Sequence, residues 1–284
     1  MIISASRRTD IPAFYGEWFT RRLHAGYLLV RNPFNPRQVR QVDLTPPAVD
    51  CFVFWTKNPA SFLEKLVLLR EYPYYFHFTL NPYGRDLEPH LPPKKELIET
   101  FQRLSGICGP DRVIWRYDPI ILTGRITPAD HYRWFAALAG KLDGSTHKVV
   151  FSFLSMYRKC RRNLQDFAIT EPDTNMRLEI ARTIAGIART HNMVTAGCAE
   201  PLDLSACGVE KGRCIDDRLV TALAGRPVKA GKDRNQRPAC GCAVSVDIGA
   251  YNSCPHLCRY CYANYSPQAV QKKHARHDPT GTEL

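Results

Sequence analysis

The sequence contains no apolar run near the roughly 18 residues that a membrane-crossing helix needs. Its start, MIISASRRTD, lacks the basic-then-apolar pattern of an export signal, and low-complexity tracts are missing as well. These absences argue against a membrane-spanning or a disordered chain and make the cytoplasm the expected compartment. Acidic residues are in short supply: 27 stand against 39 basic ones, a formal net charge of +12. Such a balance attracts nucleic acid, phosphorylated substrates or acidic partners. The basic residues gather in MYRKCRRN (156–163), KAGKDRNQR (229–237) and KKHARH (272–277), although a solvated basic surface accounts for each cluster equally well. The remaining composition, 44% apolar and 23% charged over 284 residues, is that of a globular chain with ample material for a core.

Cysteine is plentiful. A reduced compartment makes disulfides the weak reading of eleven cysteines and metal ligation the stronger one. Cys51, Cys108 and Cys160 are scattered and are read as ordinary residues, whereas the other eight fall between 198 and 261.

Through the first 200 residues, one pattern recurs six times: a short apolar, β-branched or aromatic run ends in polar residues and a helical segment follows. The runs are 2–6, 51–56, 74–80, 112–117, 148–154 and 192–198; the helical segments are 13–25, 60–71, 94–106, 128–141, 174–190 and 215–224. A short hairpin is expected at 27–44, a seventh strand at 242–249 and a last helix at 267–276. Alternating strands and helices predict an α/β fold with a parallel sheet and helices outside it, either open or curled into a barrel. In both arrangements ligands bind at the carboxyl ends of the strands. The chain is read as one domain, with an auxiliary cysteine region at 198–242 and a cysteine loop after the last strand.

Those strand ends carry a repeated feature. Asn58, Asn81, Asp118 and Glu200 each precede a proline just past a strand, and proline holds its predecessor in extended backbone. Arg7, Arg8 and Asp10 follow the first strand in the same way, and Trp55, Lys57 and Arg116 join this rim. Single Asn-Pro and Asp-Pro pairs are ordinary turn starters, but the recurrence points to a shared polar cavity. His77 and His131 are expected to be packed or surface residues.

The loop NSCPHLCRYCYAN (252–264) holds Cys254, Cys258 and Cys261. A [4Fe-4S] cube normally takes four thiolates; three on one loop leave one iron free to chelate S-adenosylmethionine (SAM) through its amino and carboxylate groups. Tyr260, before the third cysteine, suits a ring packing near the adenine. The rival reading is a zinc knuckle, with His256 or Cys242 as the fourth ligand. Cys198, Cys214, Cys240 and Cys242 lie on adjacent connections and suit a second, fully ligated metal site, either an auxiliary [4Fe-4S] cluster or zinc, with Cys207 as a spare.

CPHLCRYCYAN resembles the signature loop of the radical-SAM superfamily. Together with RVIWRYDPI (112–120) it is similar to the spore photoproduct lyase branch, whose enzyme repairs DNA. From ISASRRTDIPAFY through FWTKNP, FTLNPYG and WRYDPII to DIGAYNSCPHLCRYCYAN, the chain resembles a bacterial family of domain-of-unknown-function proteins. In that family a radical-SAM-like cysteine cluster stands at the C-terminus. The resemblance implies a circularly permuted, partial or full TIM-like barrel in which the first strand and its cysteine loop come last. It further implies a [4Fe-4S] cluster on Cys254, Cys258 and Cys261 that cleaves SAM to a 5′-deoxyadenosyl radical. An electron donor such as flavodoxin or ferredoxin is expected, with a nucleic acid or nucleotide as the favoured substrate. Arg116, Asp118 and Lys57 are then candidates at the reacting centre; Tyr260, Tyr262, Ser6, Arg7, Asn58, Asn81 and Glu200 are candidates for holding SAM or substrate. The superfamily's glycine-rich segment is not evident; Ser4, Ser6, Arg7, Arg8 and Asp10 stand in its place. The alternative is a non-catalytic zinc or iron–sulfur protein that binds nucleic acid.

Overall fold

The computed structural model describes residues 1–284. The chain begins with β1 (Ile2–Ala5), α1 (Ile11–Phe14), α2 (Gly16–Ala25) and a hairpin of β2 (Tyr27–Arg31) and β3 (Val39–Asp43). Then come β4 (Cys51–Thr56), a 3₁₀ helix (Ala60–Leu69), β5 (Tyr74–Thr79), α3 (Lys94–Cys108), β6 (Val113–Ile120), β7 (Leu122–Thr123), α4 (Pro128–Leu142) and β8 (Lys148–Phe153). The last part holds α5 (Arg158–Asn163), β9 (Ile169–Thr170), α6 (Thr174–Thr190), β10 (Val194–Gly197), β11 (Glu210–Lys211), α7 (Asp217–Ala224), β12 (Val246–Asp247) and α8 (Pro267–Ala275). No helix is long and apolar enough to cross a membrane.

Eight strands form one parallel sheet in the order β12, β1, β4, β5, β6, β8, β10, β11. From β1 onward each main strand lies beside the one before it in the chain, with no reversal of direction. Right-handed crossovers that always step the same way put α2, the 3₁₀ helix, α3, α4 and α6 on one face. Side chains alternate between faces along a strand. On the helix-covered face, Phe52, Phe54, Phe76, Phe78, Trp115, Tyr117 and Phe151 pack against Trp18 and Phe19 of α2, Phe62 of the 3₁₀ helix, Phe101 of α3, Phe135 of α4 and Ile180 of α6. Stacked pairs such as Phe54–Phe76 and Trp115–Phe135, each with ring centroids 4.7 Å apart, bind this layer. At roughly 1.5–3 kcal/mol per buried large apolar side chain, this face carries the stability. The opposite face is apolar only near the strand starts, where Ile2, Cys51, Val53, Tyr75, Ile114, Val150 and Ala196 meet α7 and the cysteine-rich segment before β12. Apart from Trp55, the next residues on that face, toward the carboxyl ends, are polar: Ser4, His77, Arg116, Ser152 and Asp118.

Several elements depart from expectation, each for a local reason. The helical segment expected at 60–71 forms over Ala60–Leu69, as a 3₁₀ rather than an α-helix. Its Leu63, Leu66 and Leu69 are spaced by three, which eclipses them on a 3₁₀ helix and seats them together. The strand expected over 242–249 pairs with β1 only through Val246 and Asp247. Ala243 instead bridges to Lys232, and Val244 N–H donates to the Gly231 carbonyl at 2.8 Å, so half of the alternating pattern is spent on the neighbouring loop. β11, two exposed polar residues, carries no hydrophobic signal. α4 opens on a capping box: Asp130 N–H donates to Thr127 Oγ1 at 3.3 Å and Thr127 N–H to Asp130 Oδ2 at 2.9 Å.

Candidate active site

β12 lies beside β1, so its loop, with Cys254, Cys258 and Cys261, covers the carboxyl ends of β1, β4 and β5. Each of those ends is tied to it. His256 Nε2 meets Asp10 Oδ2 at 2.9 Å after β1, and Tyr262 Oη donates to the Arg7 carbonyl at 3.0 Å. After β4, Lys57 Nζ lies 2.8 Å from Tyr260 Oη. After β5, Asn81 Nδ2 donates to the same hydroxyl at 3.1 Å. The three cysteines lie near enough for their charges to act on one another. Burial pushes the Cys258 thiol up to about 12, with Lys57 opposing it, and raises Cys254 well above the ordinary thiol range, reinforced by Asp10. Cys261 Sγ accepts the Ala263 N–H at 3.3 Å.

Behind this loop is a buried polar network. Asn81 clips β5 to β6: its amide donates to the Asp118 carbonyl at 2.8 Å and its oxygen accepts the Asp118 N–H at 2.8 Å. Asp118 accepts from Ser152 and pairs with Arg116. Burial would raise its carboxyl, but Arg116 and Ser152 outweigh burial and hold it below the ordinary range. Arg116 Nη1 lies 2.7 Å from Cys214 Sγ and Nη2 3.8 Å from Cys198 Sγ. Ser6 Oγ donates to Asp247 Oδ1 at 2.7 Å, and the Arg7 N–H to Asp247 Oδ2 at 2.9 Å, which locks β1 to β12. The Arg7 guanidinium lies 5.2 Å over the Trp55 ring.

Seven of the ten rim and cofactor candidates are thus joined: Arg116, Asp118, Lys57, Tyr260 and Asn81 in one network, with Ser6 and Arg7 at the β1–β12 seam. Tyr262 anchors the loop to that seam. Asn58 and Glu200 stand apart. Asn58 Oδ1 accepts the Ala60 N–H at 3.3 Å, the local turn that asparagine makes at a helix start. Glu200 is committed to Arg177, 3.1 Å away, and to the Leu202 N–H. Cys198, Cys214, Cys240 and Cys242 come together beneath the rim, with the first two sulfurs 3.4 Å apart. The hydrogen bond with Cys242 draws Cys240 down to about 7. All eleven cysteines are free thiols, and no three His, Cys, Asp or Glu side chains are grouped closely enough to hold a metal ion as they stand. Cys207 is packed in the main core, apart from the four. His77 and His131 are buried and bonded to the Cys214 carbonyl and to Tyr117 and Ile121, as packed histidines are.

A family model described as a domain of unknown function (DUF1848) matches residues 2–263. The chain belongs to the DUF1848 family. The match takes in all seven candidate ligand cysteines of this DUF1848 chain. Neither the comparison with curated proteins nor that with solved structures returns a match. Three residues of the DUF1848 site escaped the sequence reading. Glu88, with a side chain only 1% exposed, binds Lys57 at 2.7 Å, Lys94 and the Tyr260 hydroxyl. Its signal was present: Glu88-Pro89 is another polar-before-proline pair, but it lies well past its strand. Asp247 holds Ser4, Ser6 and Arg7, and its signal was a lone carboxylate inside an apolar strand pattern. Cys160 lies in one apolar cluster with Cys258 and donates to the Tyr260 carbonyl at 3.1 Å; nothing in its sequence context marks it.

Proposed function

We propose that the chain is a radical-SAM enzyme, built as a permuted partial TIM-like barrel and acting on a nucleotide or nucleic-acid substrate. The observation that carries this reading is the position of β12 beside β1. The sheet order then runs as a one-way series that starts at the chain's last strand, and the cysteine loop follows the first strand of that series. A series without reversal is the barrel-type winding rather than the doubly wound type.

The residues fit a cluster. Three thiols on one loop occupy three irons of a cube and leave the fourth free. Buried polar atoms without partners occur in the loop, at His256 Nδ1 and Asn264 Oδ1, and after β1, at Thr9 Oγ1. Such orphans are rare in folded proteins and mark where a bound group would supply the missing partner. When bound, the cluster and SAM supply a 5′-deoxyadenosyl radical for hydrogen abstraction from the substrate, fed by an electron from a donor such as flavodoxin or ferredoxin. The chain's own groups bind and orient. Cys254, Cys258 and Cys261 hold the cluster, and Lys57 offsets thiolate charge at Cys258. Tyr260 is fixed by Lys57, Asn81 and Glu88, so the loop is rigid before any ligand arrives. Arg7, with Nη2 buried and unpartnered, suits a carboxylate or phosphate at the β1 end.

The substrate class rests on where the basic clusters meet. Lys159 of the first cluster lies 4.9 Å from the Tyr251 ring and 3.6 Å from Tyr265, at the two ends of the cysteine loop. Lys273 of the third donates to the Tyr251 carbonyl at 3.4 Å. Arg237 of the second donates to Ser155 Oγ at 2.8 Å, next to the first cluster. Three segments far apart in the chain make one basic border around the loop, the arrangement a polyanion requires.

The test is anaerobic reconstitution with iron and sulfide, reduction with dithionite and addition of SAM. The expected outcome is 5′-deoxyadenosine from the wild-type chain and none from Cys258→Ala. A reduced, cluster-loaded chain that forms no 5′-deoxyadenosine refutes radical initiation. Zinc in the loop would favour a non-catalytic nucleic-acid-binding protein instead.

A further inference from the structure

We infer that Cys198, Cys214, Cys240 and Cys242 form a second metal site, for a single tetrahedral ion of the zinc class, clamped by Arg116. This inference stands independently of the radical reading, because it uses none of the three loop cysteines. The thiols arrive on separate segments: Cys198 after β10, Cys214 after β11, and Cys240 and Cys242 on the approach to β12. They form a chain of neighbours. The sulfurs of Cys198 and Cys214 are 3.4 Å apart, and Cys214, Cys240 and Cys242 lie in one buried cluster against which Cys198 packs. The Ile215 N–H also donates to Cys242 Sγ at 3.4 Å.

The spacing selects the class of metal. A tetrahedral ion with bonds of about 2.3 Å sets its sulfur ligands roughly 3.8 Å apart. In a [4Fe-4S] cube each thiolate binds a different iron, so the sulfurs stand farther from one another. A pair already 3.4 Å apart suits one shared ion.

The surroundings supply what such an ion needs. Four thiolates on a divalent ion carry a net charge of −2. The Arg116 guanidinium donates to two of these sulfurs. A neutral thiol is a weak acceptor for a buried guanidinium; a metal-bound thiolate is a strong one, and donors to ligating atoms tune such sites. The backbone is fitted as well. Gly212 N–H donates to the Gly197 carbonyl at 2.9 Å, which brings together the turns that carry Cys198 and Cys214. A Cβ on Gly212 would stand 2.5 Å from that carbonyl oxygen, so only glycine permits the approach. A cavity of about 310 Å³, lined by Lys211, Arg213, Asp217 and Lys232, also has Cys240 in its wall.

The test uses the full chain with Cys254, Cys258 and Cys261 all changed to Ala, so that no cluster can form on the loop. Expected are roughly one zinc per chain by elemental analysis and, after exchange with cobalt(II), the intense visible bands and thiolate charge transfer of a tetrahedral all-sulfur site. Adding Cys242→Ser should abolish both, while adding Cys207→Ser should leave them unchanged. Circular dichroism establishes that each variant is folded. A folded triple variant that takes up neither zinc nor cobalt on titration overturns the inference. So does one that binds iron and sulfide in place of a single ion, or one whose metal survives Cys242→Ser.

Discussion

Glu88 makes the sharpest test of how the site is held. Its carboxylate lies between Lys57 and Lys94, and Lys57 has a side chain only 13% exposed. Glu88→Gln preserves shape and removes the charge, which leaves Lys57 buried without a counter-ion. Breaking a buried pair by removing one partner costs about 3–5 kcal/mol. Lys94 keeps 29% of its side chain exposed and recovers water, so the low end, about 3 kcal/mol, is expected. At about 2.1 cal/mol/K per residue, 284 residues give an unfolding entropy of about 0.6 kcal/mol/K. The melting temperature should therefore fall by about 5 °C. Lys57→Met in the same chain removes the stranded cation, and the double variant should recover about 2 kcal/mol relative to the sum of the single effects. The pH dependence follows from the same group. Burial raises the Glu88 carboxyl, but Lys57 and Lys94 outweigh it and depress it below its ordinary value. Its contribution is then complete above the unfolded pKa of about 4.3 and is lost as pH falls through the lower native value. Glu88→Gln should flatten the acid limb of the stability profile. Thermal melts of the four chains across pH decide the matter; a Glu88→Gln shift below about 1 °C, or additive single and double effects, refutes a buried charge network here.

Other expectations can be checked separately. Arg116→Gln removes the donor to Cys214 and Cys198 and should weaken cobalt(II) binding at the four-thiol site about 10–100-fold in a competition titration; unchanged affinity would make Arg116 only a partner of Asp118. Lys159→Ala should lower the slope of log affinity against log salt for a single-stranded oligonucleotide by about 1, whereas a salt-independent affinity in the parent chain rules out a polyanion site. Gly212→Ala should reduce metal retention at the four-thiol site at once, read by elemental analysis, and normal retention would show that the two turns can part without loss. Phe54→Ala, far from every candidate ligand on the helix-covered face, should cost about 3–5 kcal/mol in urea unfolding, and a much smaller loss would contradict the assignment of stability to that face.

The alternation of strands and helices was legible because both faces of the central strands are apolar; CFVFWT and YYFHFTL read as buried strands without help from the rest of the chain. The loss of the first half of the last strand, the 3₁₀ character of 60–69 and the two-residue β11 were not, since each is decided by what lies next to it rather than by its own pattern. At the site, Asn81 and Asp118 announced themselves by the proline that follows them, and both meet across β5 and β6. Asn58 carried the same mark and spends its side chain on a helix start, because an asparagine before proline satisfies the nearest free N–H when no ligand-side partner is closer.

What the sequence determined by itself was the inventory: the strand–helix alternation, the three-thiol loop, the four further cysteines and the basic clusters. These depend on residue type and short spacing, which a chain carries with it wherever it folds. What only the tertiary structure decided was adjacency. β12 lies next to β1 across more than 240 positions of chain, Glu88 stands between two lysines, and Arg116 reaches from the rim down to Cys214. Adjacency of this kind follows from which edge of the sheet has unpaired backbone to offer and which buried charge still lacks a partner, and both are properties of the folded whole.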